Sequence, residues 1–412
     1  MAVIKPFKAL RPDPHVVHLV ASVPYDVVNK EEAAELAKDF PINFLRVTRS
    51  EIEMDGDVNP YSEEVYEKAK EILERIKNTA PLVYEKEERF YLYQLKWKEQ
   101  TQTGIAATFS VDDYDNDIIK KHEKTRKVKE DDRTNHIITT KAQTGPVFLT
   151  YHAVDEIDEL VNKAIQNEPL YDFTTNDSVT HTVWRLPSES NDIIINEIKK
   201  VKNLYIADGH HRAASASRAQ KVMKEKNPNH IGNEEYNYFL AVLFPANQLK
   251  ILPYNRVVFD LKGMNEKKFI ETISEYFDVA KVDYKTPPTK GIICMYLNSE
   301  WYSLTPNSKV VPGNLLGDKL DVSILQEFLL KPYLGIDDPR TSDHIDFIGG
   351  IRGTEELEKL VDSNKAKVAF SLYPVTVDDL IQISDAGETM PPKSTWFEPK
   401  LRDGILVHEI EF

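Results

Sequence analysis

The sequence of 412 residues contains a single cysteine and no long apolar run. The lone thiol, Cys294, excludes a disulfide framework and a cysteine-rich zinc site, and it fits a reducing, cytoplasmic compartment. No stretch approaches the roughly 20 apolar residues that cross a bilayer. The opening segment, MAVIKPFKALRPDPHVV, also lacks the apolar run of a secretory signal. We therefore expect no membrane partner.

Positive charge is scarce as well. The chain has 52 Lys and Arg against 67 Asp and Glu, which gives a formal net charge of −15. A general binder of duplex DNA needs a basic surface to displace the counterions of the phosphates, so nucleic acid is not the expected partner. A local basic groove is still compatible with this total. We expect a small-molecule partner, and the oligomeric state stays open.

Helical and strand patterns alternate along the chain. The segment NPYSEEVYEKAKEILERIKN predicts a helix with an apolar stripe, and RFYLYQLKWKEQTQTGIAATFSV predicts a β-hairpin. The intermixed elements favour an α+β (mixed α/β) fold over a doubly wound parallel sheet. From the places where helical stretches meet strand clusters, we predict three regions, residues 1–80, 81–260 and 261–412.

The richest polar chemistry lies where a strand gives way to a helix, in NLYIADGHHRAASASRAQ. Gly209 permits a tight turn, and the free N–H groups of the helix that follows form an anion site, to which His210, His211 and Arg212 add donors. Asp208 could hold Mg²⁺ or receive a proton. This set suits a phosphoryl group. The alternatives are a helix cap by Asp208 and a zinc site, which two adjacent histidines form poorly.

Two further segments carry candidate chemistry. In HEKTRKVKEDDR, Glu123 could act as a general base with His122 beside it, and Arg133 could bind phosphate or a carboxylate. The alternative is a solvated helix with ion pairs on its surface. In MPPKST, a rigid pair of prolines precedes Lys393, Ser394 and Thr395, which together could cradle an oxyanion or form a surface turn.

Two charged residues are predicted to lie among apolar neighbours. Asp26 in VPYDVV needs a partner, for which Arg46 or the amine of a ligand would serve. Arg256 in LPYNRVV is a positive charge among apolar residues and likewise needs a partner. Both residues could recognise an amino-acid substrate, and a structural ion pair would explain them equally well. Lys400, near the end of the chain, would add positive charge.

The segment ADGHHRAA resembles the strand–turn–helix signature of the ParB/sulfiredoxin superfamily, which includes DNA-segregation CTPases, sulfiredoxin and ADP-dependent free-serine kinases. Gly209, His211 and Arg212 match its Gly-x-His-Arg turn. His210 stands where sulfiredoxin has its catalytic cysteine, so the resemblance does not support sulfinic-acid reduction. It implies a nucleotide-binding core of this superfamily with added mixed-sheet regions, and it implies Mg²⁺ and ADP or ATP as cofactors.

Over essentially its full length the chain resembles the bacterial domain-of-unknown-function family 1015. The segments that carry this resemblance are FKALRP, VPYDVV, HEKT with DDR, ADGHHR, LPYNRVV, DVSIL and MPPKSTWFEPKL. It favours a functional role for His122, Glu123 and Arg133. Ala213 departs from the aromatic residue that relatives often have there, which puts stacking at this position in doubt.

Together these patterns predict a phosphoryl-transfer enzyme that acts on a small metabolite, most plainly serine or phosphoserine, as a kinase or as a phosphatase. The catalytic set would be Glu123, His122, Asp208, His210 and His211, with Asp208 also the metal ligand. The remaining candidates would bind substrate or phosphate: Gly209, Arg212, Arg133, Lys393, Ser394, Thr395, Asp26 and Arg256. The alternative is a ParB-like nucleotide-binding protein that regulates DNA or protein partners.

Overall fold

A computed structural model describes residues 1–80 and 82–411. Their contacts form two compact units. Unit 1 comprises residues 1–121, 125–249 and 399–412, and unit 2 comprises residues 122–124 and 250–398. The two units cut across the three regions expected from the sequence, and that division remains a prediction. Helices and strands are intermixed in both units, which confirms the α+β class.

The strands and helices have the following bounds. The strands are β1 Ile4–Lys5, β2 Leu10–Pro12, β3 Leu82–Tyr84, β4 Tyr91–Trp97, β5 Gln100–Ser110, β6 Ile119–Lys120, β7 Ala142–Gln143, β8 Val147–Tyr151, β9 Tyr171–Thr174, β10 Thr180–Arg185, β11 Leu204–Asp208, β12 Tyr238–Pro245, β13 Ile251–Leu252, β14 Tyr254–Val258, β15 Phe277–Lys281, β16 Ile293–Leu297, β17 Glu300–Pro306, β18 Ile345–Gly349, β19 Val368–Ser371, β20 Trp396–Phe397 and β21 His408–Glu409. The α-helices are α1 Val17–Val20, α2 Lys30–Ala37, α3 Leu45–Thr48, α4 Glu63–Thr79, α5 Val111–Asp115, α6 Lys127–Thr140, α7 Asp155–Ala164, α8 Asn191–Lys200, α9 His210–Lys226, α10 Glu266–Ile273, α11 Asp321–Leu325, α12 Lys331–Leu334, α13 Glu355–Asp362 and α14 Val377–Asp385.

Unit 1 is built on a mixed sheet with the strand order β6-β11-β8-β12-β5-β4-β10-β9, and β1 pairs with β5. The strand β11 runs parallel to β6 and antiparallel to β8. Its sequence LYIA is fully buried, as expected of a strand with neighbours on both sides. Consequently, the turn that follows β11 starts from a strand that is hydrogen-bonded on both sides.

The predicted helix and hairpin are both present in unit 1. Helix α4 buries its apolar stripe, and β4 pairs with β5 as an antiparallel hairpin. The stripe consists of Val65, Ala69, Ile72, Leu73 and Ile76. The main core lies on the sheet, where Phe109, Leu149, Ile206 and Leu243 are at most 1% exposed.

Unit 2 contains a six-stranded antiparallel sheet with the order β15-β17-β16-β19-β14-β18. Cys294 lies in β16 and is completely buried. Burial also raises the pKa of this thiol to about 12, so the thiolate is disfavoured. Among the described helices of the chain, none combines the length and apolarity needed to cross a bilayer.

Candidate active site

The turn between β11 and α9 has an unusual backbone at one position. Gly209 has φ +90°, in the left-handed region, and α9 begins directly after it at His210. No side chain caps this helix. The carboxylate of Asp208 instead accepts the N–H of Gly209 at 2.8 Å, so the predicted alternative of Asp208 as a cap for the first-turn amides is not realised. A helix start without a side-chain cap can offer backbone N–H groups to an anion.

Asp208 has a partner that the sequence did not suggest. Lys400 Nζ donates to its Oδ2 at 2.8 Å, across 192 positions of the chain. Burial alone would raise the pKa of Asp208, but the charges of Lys400 and Arg212 hold it well below its usual range. Both carboxylate oxygens are thus engaged, one of them by a cation. A Mg²⁺ ion on Asp208 would compete with Lys400 for the same carboxylate, and Asp208 as a metal ligand stays a prediction.

Arg212 folds back against the glycine turn. A Cβ atom at Gly209 would lie 2.9 Å from Arg212 Nε, so only a glycine leaves room for the guanidinium there. The Nη1 group donates to the carbonyl of Pro146. The Nε atom is buried and has no hydrogen-bond partner among the residues that the structure describes. An unsatisfied buried donor is costly, and an anion at the turn would remove that cost.

The two histidines of the turn differ in their surroundings. His210 is buried at 6% exposure. His211 is half-buried, and its Nε2 accepts the backbone N–H of Arg126 at 3.0 Å. An accepting Nε2 carries no proton, so His211 is neutral in this geometry with its proton on Nδ1. Burial lowers the pKa of His211, and the nearby charges of Asp26 and Glu130 only partly oppose that effect.

Asp26 is not the buried carboxylate that its apolar neighbours suggested. Its side chain is exposed, because it lies on a short 3₁₀ turn, Tyr25–Val27, that directs Tyr25 inward. Arg46 is not its partner, since that guanidinium binds Glu53 at 3.0 Å and two backbone carbonyls. Asp26 instead contributes negative charge beside His211 and Arg212.

Helix α6 carries a buried polar face, so the alternative of a wholly solvated helix is wrong. Arg133 and Asp132 are 9% and 5% exposed, and Arg133 Nε donates to Asp132 Oδ2 at 3.0 Å. The guanidinium of Arg133 also lies 4.1 Å from the ring centroid of Tyr25, as a cation–π contact. Nearby, burial lowers the pKa of His136 to about 3, which keeps that imidazole neutral.

Asp403 is a site residue that the sequence analysis missed. It is 2% exposed, and its Oδ1 has no hydrogen-bond partner among the described residues. It lines a small cavity of about 30 Å³ together with Arg212, Arg133, Tyr25 and Gly145. Burial raises the pKa of Asp403 to about 7, although Arg212 opposes this shift. The carboxyl group therefore titrates near neutral pH beside the turn.

The segment that carries Lys400 and Asp403 is held by the arginine between them. Arg402 is 3% exposed, and its Nε lies 3.2 Å from His181 Nε2. Its Nη2 also pairs with Asp177. Since burial lowers the pKa of His181 to about 3, the ring is neutral and its Nε2 can accept the guanidinium proton. We call residues 399–403 the tail segment.

The remaining predicted residues belong to unit 2. His122 is buried, its carbonyl accepts the N–H of Met390 at 2.7 Å, and its Nε2 lies 3.4 Å from Thr395 Oγ1. The HEKT and MPPKST segments are therefore in contact. Lys393 has a left-handed backbone with φ +56°. Ser394 donates its hydroxyl to the carbonyl of Pro391 at 2.6 Å, so this hydroxyl shapes the turn.

Arg256 stabilises the same turn of unit 2. It is 3% exposed and donates to the carbonyl of Lys393 at 3.0 Å. Burial lowers its pKa to about 9, and no carboxylate of the described residues forms an ion pair with it. The structural ion pair considered for Arg256 is therefore not present among those residues. Glu123, the predicted base, is half-buried.

The structure thus brings the candidates into two groups. Unit 1 collects Asp26, Arg133 and the turn 208–212, and it adds Lys400 and Asp403 from the tail segment. Unit 2 collects His122, Lys393, Thr395 and Arg256 around the MPPKST turn. The sequence signals for the tail segment were the basic character of Lys400 and the family resemblance of MPPKSTWFEPKL, which ends at Leu401 and does not reach Asp403.

Comparisons with known proteins agree with the family resemblance. Residues 4–323 match the family described as "Protein of unknown function (DUF1015)". No curated protein matches the chain. Similar solved structures include a conserved hypothetical protein from Pyrococcus furiosus, with 13% identity, TM-score 0.36, and coverage of 74% of this chain and 94% of that one. SbnI with a C-terminal truncation from Staphylococcus aureus shows 14% identity, TM-score 0.37 and coverage of 71% and 82%. A free serine kinase in complex with AMP shows 11% identity, TM-score 0.35 and coverage of 71% and 86%.

Proposed function

The chain belongs to DUF1015, a family of proteins of unknown function, and we propose that it transfers a phosphoryl group between a nucleotide and a small amino-acid metabolite, most simply serine or phosphoserine. The observation that carries this proposal is the turn 208–212. There, uncapped amides at the start of α9 stand next to Arg212, whose Nε lacks a partner among the described residues. This arrangement is typical of a phosphate site.

The charges around the turn support the same assignment. Lys400 and Arg212 are cations, and Asp208 is paired with Lys400. A phosphoryl group approaching the α9 amides would meet N–H donors and the Arg212 guanidinium, which can stabilise the charge on the equatorial oxygens in the transition state. Because Lys400 already occupies Asp208, we assign the neutralisation of charge to the two cations and route no step through a metal on Asp208.

The proposed reaction balances as follows in the kinase direction. The acceptor hydroxyl gives its proton to the carboxylate of Glu123 while its oxygen attacks the terminal phosphorus of ADP or ATP. The bond from that phosphorus to the bridging oxygen breaks, and AMP or ADP leaves. With phosphoserine and water, the same carboxylate would activate water instead.

Phosphorus NMR tests this proposal directly. The full-length protein is mixed with Mg²⁺ and ADP or ATP, and either L-serine or phosphoserine is added. We expect the formation or loss of phosphoserine. Arg212→Gln should lower the rate by about 10²–10³, as loss of one transition-state donor does. Lys224→Gln, an exposed lysine near the far end of α9, is the matched control and should leave the rate unchanged.

A second set of variants separates chemistry from binding. Glu123→Gln should abolish turnover while inorganic phosphate still binds, because the amide keeps the size of the side chain but cannot take the proton. His211→Ala should lower turnover and also weaken the binding of inorganic phosphate, since it removes the acceptor of the Arg126 N–H. If the wild-type protein neither makes nor consumes phosphoserine with either nucleotide, serine phosphoryl transfer is wrong.

A further inference from the structure

A second cavity of unit 1 has no role in the reaction as described so far. Its volume is about 290 Å³, close to the lower limit of roughly 300 Å³ for small-molecule sites. It lies between the 3₁₀ turn Ser50–Glu53 and the helices α4 and α6. Its lining includes Tyr25, Glu51, Tyr61, Lys129, Asp132 and Arg133.

The acidic side of this cavity is formed by two buried carboxylates, Asp132 and Glu51, which differ in how many hydrogen-bond and ion-pair partners they have. Asp132 accepts two hydrogen bonds from Arg133 and a third from Tyr66 Oη at 3.2 Å. Glu51 is 4% exposed, and its one ion-pair partner among the described residues is Arg49, at 2.9 Å from Oε1. A buried carboxylate can accept several hydrogen bonds. Glu51 therefore retains capacity for a cation that enters the cavity.

The basic side is formed by Lys129. Its Nζ donates to Tyr61 Oη at 3.1 Å, and no described carboxylate lies within ion-pair distance of it. Lys129 also stands in the first turn of α6, where the helix dipole disfavours a positive charge. An anion bound in the cavity would compensate both effects. The half-buried position of Lys129 makes such a pair stronger than one on the open surface.

We propose that this cavity binds a free amino acid, with its ammonium group on Glu51 and its carboxylate on Lys129. The cavity and the smaller one beside Arg212 and Asp403 are both lined by Tyr25, Arg133 and His136. The two cavities therefore share one wall. The identification of this ligand as the phosphoryl acceptor rests on the proposed function, whereas the binding itself does not.

The test uses calorimetry on the full-length protein without nucleotide or phosphate. L-Serine is compared with N-acetyl-L-serine, which lacks the ammonium charge, and with ethanolamine, which lacks the carboxylate. Both analogues should bind at least about tenfold more weakly, because each leaves one wall charge unpaired. A thermal-shift panel of the other standard amino acids then identifies the preferred side chain.

Matched variants locate the site. Lys129→Gln should weaken binding of the preferred amino acid by about tenfold or more, while Lys127→Gln, an exposed lysine two positions earlier in the same helix, should not change it. Glu51→Gln should remove the discrimination against N-acetyl-L-serine. If Glu51→Gln does not fold because Arg49 loses its partner, the comparison of Lys129→Gln with Lys127→Gln still tests the amino-acid site.

The possible results separate the two proposals. If no amino acid binds, or if Lys129→Gln binds it as the wild type does, the amino-acid site is wrong. Amino-acid binding without any phosphoryl transfer overturns the proposed function and leaves the site intact. Transfer to an acceptor that is not an amino acid overturns the identification of the bound amino acid as the acceptor and leaves phosphoryl transfer intact.

Discussion

At the scale of single residues, the backbone of Gly209 determines the shape of the turn 208–212. Its φ of +90° is open to glycine and costs other residues about 1–2 kcal/mol. Gly209→Ala should therefore lower the free energy of unfolding by about that amount. The new Cβ would also displace the Arg212 guanidinium. We expect affinity for inorganic phosphate, measured by calorimetry, to fall about tenfold or more.

The control for this variant is another glycine with the same backbone. Gly232 has φ +96°, and a Cβ there would meet no atom within 4 Å. Gly232→Ala should be destabilised to a similar degree, and phosphate should bind to it as to the wild type. Equal phosphate affinity in the two variants would contradict the role assigned to Gly209.

The buried carboxyl group of Asp403 leads to a prediction about pH. Burial raises its pKa from 3.8 to about 7, so between these values the folded protein holds a proton that the unfolded chain releases. The free energy of unfolding should fall as pH rises through this window, by up to about 4 kcal/mol. Arg212, Asp26, Arg133 and Arg402 are the charges that act on it.

Asp403→Asn isolates this contribution, because the amide does not titrate. Denaturant unfolding of the wild type and the variant between pH 4.5 and 8 should show a steeper loss of stability with rising pH in the wild type. Parallel profiles for the two proteins would show that Asp403 does not titrate in this range.

At the scale of structural elements, the tail segment 399–403 behaves as a built part of the site. Arg402 anchors it to His181 and Asp177, while Lys400 on the preceding side reaches Asp208. Arg402→Leu should lower stability by about 1–3 kcal/mol through loss of buried, charged hydrogen bonds. It should also weaken phosphate binding, because Lys400 and Asp403 lose their fixed positions.

A double-mutant cycle distinguishes positioning from general destabilisation. If Arg402 acts through Lys400, the effects of Arg402→Leu and Lys400→Gln on phosphate affinity should not add. Additive effects would mean that Arg402 supports the fold without directing Lys400. Stability is measured in parallel, so that every variant is compared under conditions where it is folded.

Elements with a simple periodicity were predictable from the sequence. Helix α4 shows its apolar residues at helical spacing, and the β4–β5 hairpin alternates around a polar turn, so both followed from local rules. Helix α6 was not predictable in this way, because its buried residues include Asp132, Arg133 and His136, which a hydrophobic pattern counts as solvent-facing. The reason for the burial of these polar residues is seen only from the groups that they contact in the structure.

The glycine turn was predictable for the same local reason, since an apolar strand followed by Asp-Gly-His-His-Arg indicates a tight strand–helix junction. The Lys400–Asp208 pair was not, because the two residues are 192 positions apart. No spacing rule connects such positions. The prediction that Asp26 is buried was wrong, because its apolar neighbours lie on a short 3₁₀ turn that buries Tyr25 and leaves Asp26 exposed.

At the scale of the whole molecule, one charged cluster ties both ends of the chain into unit 1. Glu235 pairs with Lys5 in β1 at 2.6 Å and with His408 in β21 at 2.8 Å. Burial alone would raise the pKa of Glu235, but hydrogen bonds from His408 and Lys5 lower it to about 2. The ordinary value is 4.5. This carboxylate therefore stabilises the fold above pH 4.5, and the benefit is lost as pH falls towards 2.

Glu235→Gln should reduce stability at pH 7 by about 2–3 kcal/mol, allowing for the partial exposure of the carboxylate. The difference from the wild type should shrink steadily between pH 4.5 and 2. Glu225→Gln, an exposed carboxylate at the end of α9, is the control and should follow the wild type throughout. Thermal unfolding over this pH range measures the stability of both variants and of the wild type. A constant difference at all pH values would contradict the assignment.

The discontinuous make-up of unit 1 has a consequence for biosynthesis. Residues 399–412 complete a unit whose other parts lie before residue 250, so the ribosome makes about 150 residues of unit 2 in between. Until residues 399–403 leave the exit tunnel, Asp208 lacks Lys400 and the cavity beside Arg212 lacks Asp403. A nascent chain thus carries the turn 208–212 without these two charged groups while all of unit 2 is being made.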